Sequence, residues 1–127
     1  MKRNNLETIL IKIFKKNGLK YNHAKICSNA LINAEQVGAY SHGLSRLKMY
    51  CDRIKKKLIN PRPKIKIKKI SQSISYIDAN NCIGFVAADI AIKKAIQNAE
   101  KTGIGLVAVK NSGHYGLSGY YAEQAVK

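Results

Sequence analysis

Leu6, Ile9, Leu10, Ile13 and Phe14 recur at the three- and four-residue spacing that lines one face of an α-helix, and Gly18 follows as a C-terminal stop. A second apolar face, Cys27, Ala30, Leu31, Ala34 and Val37, predicts a helix capped by Asn22 and ending near Gly38. A third helix is expected to begin around Ser41 to Leu44. Its buried stripe is Leu44, Leu47, Cys51, Ile54 and Leu58, and "NPRP" at 60–63 stops it.

The period then changes. "KIKIKKI" (64–70) alternates lysine and isoleucine as a half-exposed strand does, and "SISYID" (73–78) predicts a second strand. A turn through "ANN" and Gly84 leads into a long helix from about Phe85 to Lys101. "LVAV" (106–109) is short and β-branched, which predicts a buried parallel strand. The loop "NSGHYG" (111–116) follows, then a helix that starts near Leu117 and is still running at Lys127. The order implies an α/β fold, with a helical N-terminal section over 1–63 and a βαβα section over 64–127. "YYAEQAVK" brings no glycine, proline or polar tail, and a parallel crossover unit needs more strands than these. The expectation is a truncated part of a larger fold.

Composition narrows the function. With 46% hydrophobic residues, the 127-residue chain can bury a core of its own. Cys27, Cys51 and Cys82 are odd in number and widely spaced, so neither a disulfide framework nor a metal site is expected. No apolar run is long enough to cross a bilayer, and Glu7 and Lys12 interrupt any signal-peptide core, so the chain reads as cytoplasmic without membrane contact. The net charge of +16 invites a nucleic-acid reading. Only four of the 23 basic residues are arginine, however, and the lysines are spread over the whole chain. Tyr40, Tyr50, Tyr76, Tyr115, Tyr120 and Tyr121 form no stacking platform. Specific nucleic-acid binding is not expected.

Candidate chemistry sits in two places. "AYSHGLSRLKMY" (39–50) puts His42 and Arg46 one helical turn apart, with Ser41 at or beside the N-cap. Free N-terminal amides, a guanidinium fork and an imidazole would together receive a carboxylate beside a carbonyl or hydroxyl. The same spacing also suits a cap, a surface histidine and a solvated arginine, and both readings stand at this point. His114 lies in a glycine-rich loop after a parallel strand, where open α/β sheets bind ligands. A turn whose glycines serve only the backbone is the alternative. "GIGLVA" (103–108) matches a dinucleotide fingerprint but precedes its strand instead of following it, so it receives no cofactor role.

"SHGLSRL", "INPRP", "DANNCIG", "GIGLVAVKNSGHYG" and "GYYA", in this order and spacing, resemble the malate/L-lactate dehydrogenase family, which also includes ureidoglycolate, sulfolactate and diketogulonate oxidoreductases. The resemblance runs from about residue 6 to the end and covers roughly the N-terminal third of a family member. It implies a non-Rossmann dehydrogenase fold and hydride transfer between NAD or NADP and a 2-hydroxy or 2-oxo acid. It further implies that Arg46 holds the substrate carboxylate, that His42 and His114 are the acid/base candidates, and that Ser41 bonds the substrate oxygen. Which histidine exchanges the proton stays open. The complete enzyme is expected to be a homodimer. Most of the cofactor-binding region is expected beyond Lys127, so the chain alone is expected to be inactive. A noncatalytic remnant, or a split subunit needing a C-terminal partner, is the second reading.

Overall fold

The computed structural model describes residues 3–126. Three helices come first: α1 (Arg3–Lys16), α2 (Tyr21–Gln36) and α3 (Leu47–Lys55). They are followed by β1 (Lys66–Lys69), β2 (Ile74–Cys82), α4 (Gly84–Thr102), β3 (Leu106–Ser112) and α5 (Gly119–Ala125). The expected α/β class and its βαβα order are both present.

The helices form where the apolar faces meet. Leu10 and Phe14 of α1 pack with Ala24, Cys27, Leu31 and Ile32 of α2 in a core that Tyr50 and Ile54 of α3 also enter. Gly18 and Gly38 end the first two helices in left-handed conformations, at φ 98° and 76°, which cost glycine little. Asn22 is not the cap of α2. Lys20 occupies that position, and no side chain bonds the free amides there.

The expected third helix starts late. Two short 3₁₀ turns, Tyr40–His42 and Leu44–Arg46, precede α3 and are separated by Gly43. The helix also stops before the prolines, because Lys57 turns left-handed at φ 59°. Leu58, expected in the buried stripe, is therefore 66% exposed, and Tyr50 and Ile59 are buried instead.

The sheet has the order β1-β2-β3, with β1 antiparallel and β3 parallel to the central strand. Ser75, Ile77 and Ala79 of β2 point alternately into the core, where α4 contributes Phe85, Val86 and Ala87. Asn98 of α4 donates to Ser75 Oγ at 3.1 Å, which ties the far end of the helix to the strand. "ANN" does not form a turn; β2 runs through it to Cys82, with Asn80 and Asn81 left-handed at an irregularity in the pairing with β3.

Burial of the flanking strands departs from expectation. β1 is exposed along its whole length, not on one face only. β3 pairs in parallel as expected, yet all but one of its residues are exposed. Both are edge strands, and apolar content alone does not provide a covering layer. The last helix begins at Gly119 and ends at Ala125, so it starts and stops inside the expected bounds; Lys127 lies outside the described residues. No helix among the described residues is long and apolar enough to cross a membrane.

Candidate functional site

The segment carrying Ser41, His42 and Arg46 is shaped by a contact from α2. Glu35 Oε1 accepts the Leu44 amide at 2.7 Å, and Gly43 lies so close to that carboxylate that a Cβ would collide with it. A side chain at Gly43 would push the Glu35 carboxylate off the Leu44 amide. The amides of His42, Gly43 and Arg46 donate to Ala39, Tyr40 and Gly43 carbonyls. The free helix N-terminal amides expected at Ser41 are thus largely occupied, and recognition at this point falls to side chains.

Those side chains hold one another. Arg46 Nε donates to the Ser41 carbonyl at 2.7 Å, which leaves the guanidinium's remaining donors unassigned. Ser41 Oγ lies 3.0 Å from His42 Nδ1. The hydroxyl expected to meet a substrate oxygen faces the histidine instead.

His114 arrives from the end of β3. Its imidazole stacks on that of His42, with centroids 5.8 Å apart and planes 25° from parallel. The Tyr50 hydroxyl of α3 lies 2.7 Å from His114 Nδ1, and the Gly116 amide donates to the same nitrogen at 3.3 Å. An amide has only a proton to offer, so Nδ1 is the acceptor and the neutral ring carries its proton on Nε2. The loop is seated on α4, because Gly84 lies against the carbonyl oxygens of Gly113 and His114 and admits no Cβ. Both histidines and both ends of the "SHGLSR" segment are thereby brought into one cluster.

Tyr50 is the functional residue that sequence reasoning missed. A signal existed, since Tyr50 lies one helical turn beyond Arg46, but its partner His114 is 64 residues away. Burial, assisted by Cys27 and opposed by Arg46 and Arg53, pushes the Tyr50 phenol up to about 12. It therefore serves as a hydroxyl and not as a base. Burial lowers the pKa of His114, and the positive charges of His42, Arg46 and Arg53 lower it further. A depressed histidine pKa favours the neutral folded form, so the stability it contributes is present above the unfolded value of 6.5 and is lost as pH falls through the folded value. The expected result of a histidine NMR titration is a His114 midpoint below 6.5 that moves up in His42→Asn.

Gly103 caps α4 and Gly105 packs on the Ala95 carbonyl, so both glycines of the fingerprint-like run serve the helix-to-strand connection. The start of α4 is closed by the carbonyls at 113 and 114.

Comparison with known proteins supplies the context for this cluster. The family model described as malate/L-lactate dehydrogenase matches residues 1–127. The chain belongs to the malate/L-lactate dehydrogenase family. It is 42% identical over 125 residues to the malate dehydrogenase of Pyrococcus abyssi, covering 98% of this chain and 34% of that protein. It is 36% identical over 126 residues to the L-sulfolactate dehydrogenase of Methanocaldococcus jannaschii, covering 99% and 37%. The solved malate dehydrogenase of Pyrococcus horikoshii superposes with a TM-score of 0.94 at 37% identity, covering 98% of this chain and 36% of that one. Within this malate/L-lactate dehydrogenase family, the chain spans about a third of the length of the relatives it matches.

Proposed function

We propose that this chain supplies the acid-binding and proton-transferring part of an oxidoreductase that interconverts a 2-hydroxy acid and its 2-oxo acid. The observation that carries the reading is the convergence of His114, its Tyr50 support, the stacked His42 and Arg46 from segments distant in sequence. Arg46 pairs with the carboxylate and orients the neighbouring carbon. His114 is the proton exchanger, because Tyr50 and Gly116 hold its Nδ1 and leave Nε2 for the substrate oxygen. In the reducing direction the imidazolium gives its Nε2 proton to the oxygen as the carbonyl becomes an alkoxide and keeps the other proton on Nδ1, donated to the Tyr50 oxygen; in the oxidising direction that Nδ1-protonated neutral tautomer takes the hydroxyl proton at Nε2. His42 faces the same ring, and two stacked imidazoles disfavour double protonation. Ser41 fixes the ring of His42.

In this reading the hydride belongs to NAD or NADP, carried over from family likeness, and no residue described here is assigned to it. Family likeness likewise supports a homodimer for the whole protein. The three buried free thiols suit a cytoplasmic location.

The test is a titration of the isotope-labelled chain with L-lactate and with pyruvate. Side-chain resonances of Arg46, His42 and His114 are expected to shift together, and Arg46→Gln is expected to abolish the response. Resonances that stay fixed, or a response that survives Arg46→Gln, would overturn the proposal.

A further inference from the structure

We infer that the outward face of the sheet, at the end formed by the turn between β1 and β2, is a peripheral docking surface for an anionic lipid bilayer. Ile70, Ile74 and Leu106 enter the interface, and Lys66 and Lys68 meet the head groups. The expectation of no membrane contact came from the length of apolar runs, which governs crossing a bilayer and not resting on one.

The first observation is a row of exposed apolar side chains. Ser75, Ile77 and Ala79 face the core, so Ile74, Tyr76 and Asp78 face outward. The pairing register sets their neighbours: Leu106 lies beside Ile74, Lys68 and Ala108 flank Tyr76, and Lys66 and Lys110 flank Asp78. Ile70, two residues beyond Lys68, joins Ile74 across the turn, where its amide donates to the Ile74 carbonyl at 2.9 Å. Gly105 faces α4, against the Ala95 carbonyl, so Ile104 and Leu106 on either side of it turn away from the helix. Ile104, Ile70 and Leu106 are 67%, 56% and 54% exposed, and Ile74 is 38% exposed. Single apolar side chains are ordinary on a surface, whereas a group of large ones at one end of a sheet marks a contact.

The second observation is the charge beside that row. Lys66 and Lys68 stand on the same outward face. The ion pairs among the described residues are Lys48–Asp52, Lys93–Asp89 and Lys110–Asp78, so the lysines of β1 keep their charge uncompensated. Asp78, the carboxylate in these rows, is taken by Lys110, Asn111 and the Asn80 amide. An acidic surface is the complement, and a net charge of +16 opposes a second copy of this chain as the occupant. A nucleic acid offers negative charge, but it stacks on aromatic rings and has no layer that receives branched aliphatic side chains. A bilayer with anionic lipids offers both parts. Its acyl chains take the isoleucines and the leucine, and its head groups take the lysines, whose long stems reach outward. His114 sits with Asn81 at the opposite end of β2, and Ile74 to Asn81 spans about 23 Å of strand. Docking by the turn therefore leaves the histidine cluster facing water, open to a soluble acid.

Vesicles of phosphatidylcholine with and without phosphatidylserine provide the test. The chain has no tryptophan, so Ile70→Trp places a single reporter in the row, and Leu58→Trp places one at an exposed leucine by the other end of β2. Emission of Ile70→Trp should shift to the blue only when the vesicles contain phosphatidylserine, and that of Leu58→Trp should stay unshifted. Co-sedimentation measures the affinity of the unaltered chain. Lys66→Gln combined with Lys68→Gln should weaken it about 25-fold, about fivefold for each lysine at an anionic surface. Lys12→Gln combined with Lys15→Gln removes equal charge from exposed positions of α1, which packs on α2 away from the sheet, and should weaken it less than about twofold. Circular dichroism of each variant establishes that it is folded. Binding that needs no phosphatidylserine, an unshifted Ile70→Trp, or an equal shift in Leu58→Trp would overturn the proposal. An equal loss in the two lysine pairs would mean adhesion by net charge alone and overturn it too. A blue shift that grows with protein concentration without vesicles would make a second copy the occupant and overturn it as well.

Discussion

His114→Ala lowers turnover about 10²- to 10⁴-fold in any preparation that oxidises a 2-hydroxy acid, the range for loss of a positioned acid or base. Acid affinity should change little, because the carboxylate is assigned to Arg46 and not to the imidazole. The distinction is read from steady-state kinetics, as a fall in kcat with KM nearly constant. His42→Ala should also reduce kcat, by less, since its ring acts on His114 across a 5.8 Å stack. Near-normal turnover in both variants would remove the histidines from the chemistry. Equal collapse of kcat in both would favour proton sharing within the stacked pair over His114 alone.

The largest expected effect on folding is at Phe85. Its ring is fully buried and tilts against Tyr50 with centroids 4.9 Å apart. Gly116 presses on its edge, so closely that a Cβ there would lie 2.5 Å from Cε1. Phe85→Ala would leave a cavity under the His114 loop and cost about 3–5 kcal/mol. Whole domains are held by only about 5–15 kcal/mol, so this one substitution removes a large share of the total. Urea unfolding followed by circular dichroism measures the loss. Leu58→Ala, at a leucine of which 66% is exposed, should stay within about 0.5 kcal/mol of the unaltered chain. Similar midpoints for the two variants would show that the Phe85 cluster is not what holds the fold.

Helical periodicity located α1 and α2, because each turns an apolar face to the core and the pattern is local. The parallel pairing of β2 with β3 was legible for a related reason: a strand, a helix and a strand leave few ways to connect. Burial of "LVAV" was not legible. Apolar residues express a preference for cover, whereas cover depends on which elements lie beside the strand, and β3 is an edge. The 3₁₀ turns around His42 depend on Glu35 meeting Gly43 and Leu44, a contact between segments that residue spacing does not encode. Tyr50 escaped notice for the same physical reason, since its role exists only once the loop after β3 folds onto α3. Chemistry-bearing residue types were readable in this chain; the hydrogen bonds that orient them were not.

The two margins of the sheet also differ in how they meet a second molecule. β1 carries lysine at three of its four positions, Lys66, Lys68 and Lys69, whereas β3 carries no charge from Leu106 through Val109. Lysines on a bare margin repel an incoming strand, and an uncharged margin offers its peptide groups as a template for fibril growth. The molecule is thus guarded on one side only. At about 1 M salt the screening length shrinks to roughly 3 Å, and the lysine guard fails as well. Concentrated salt during handling therefore turns a chain with one adhesive margin into a chain with two.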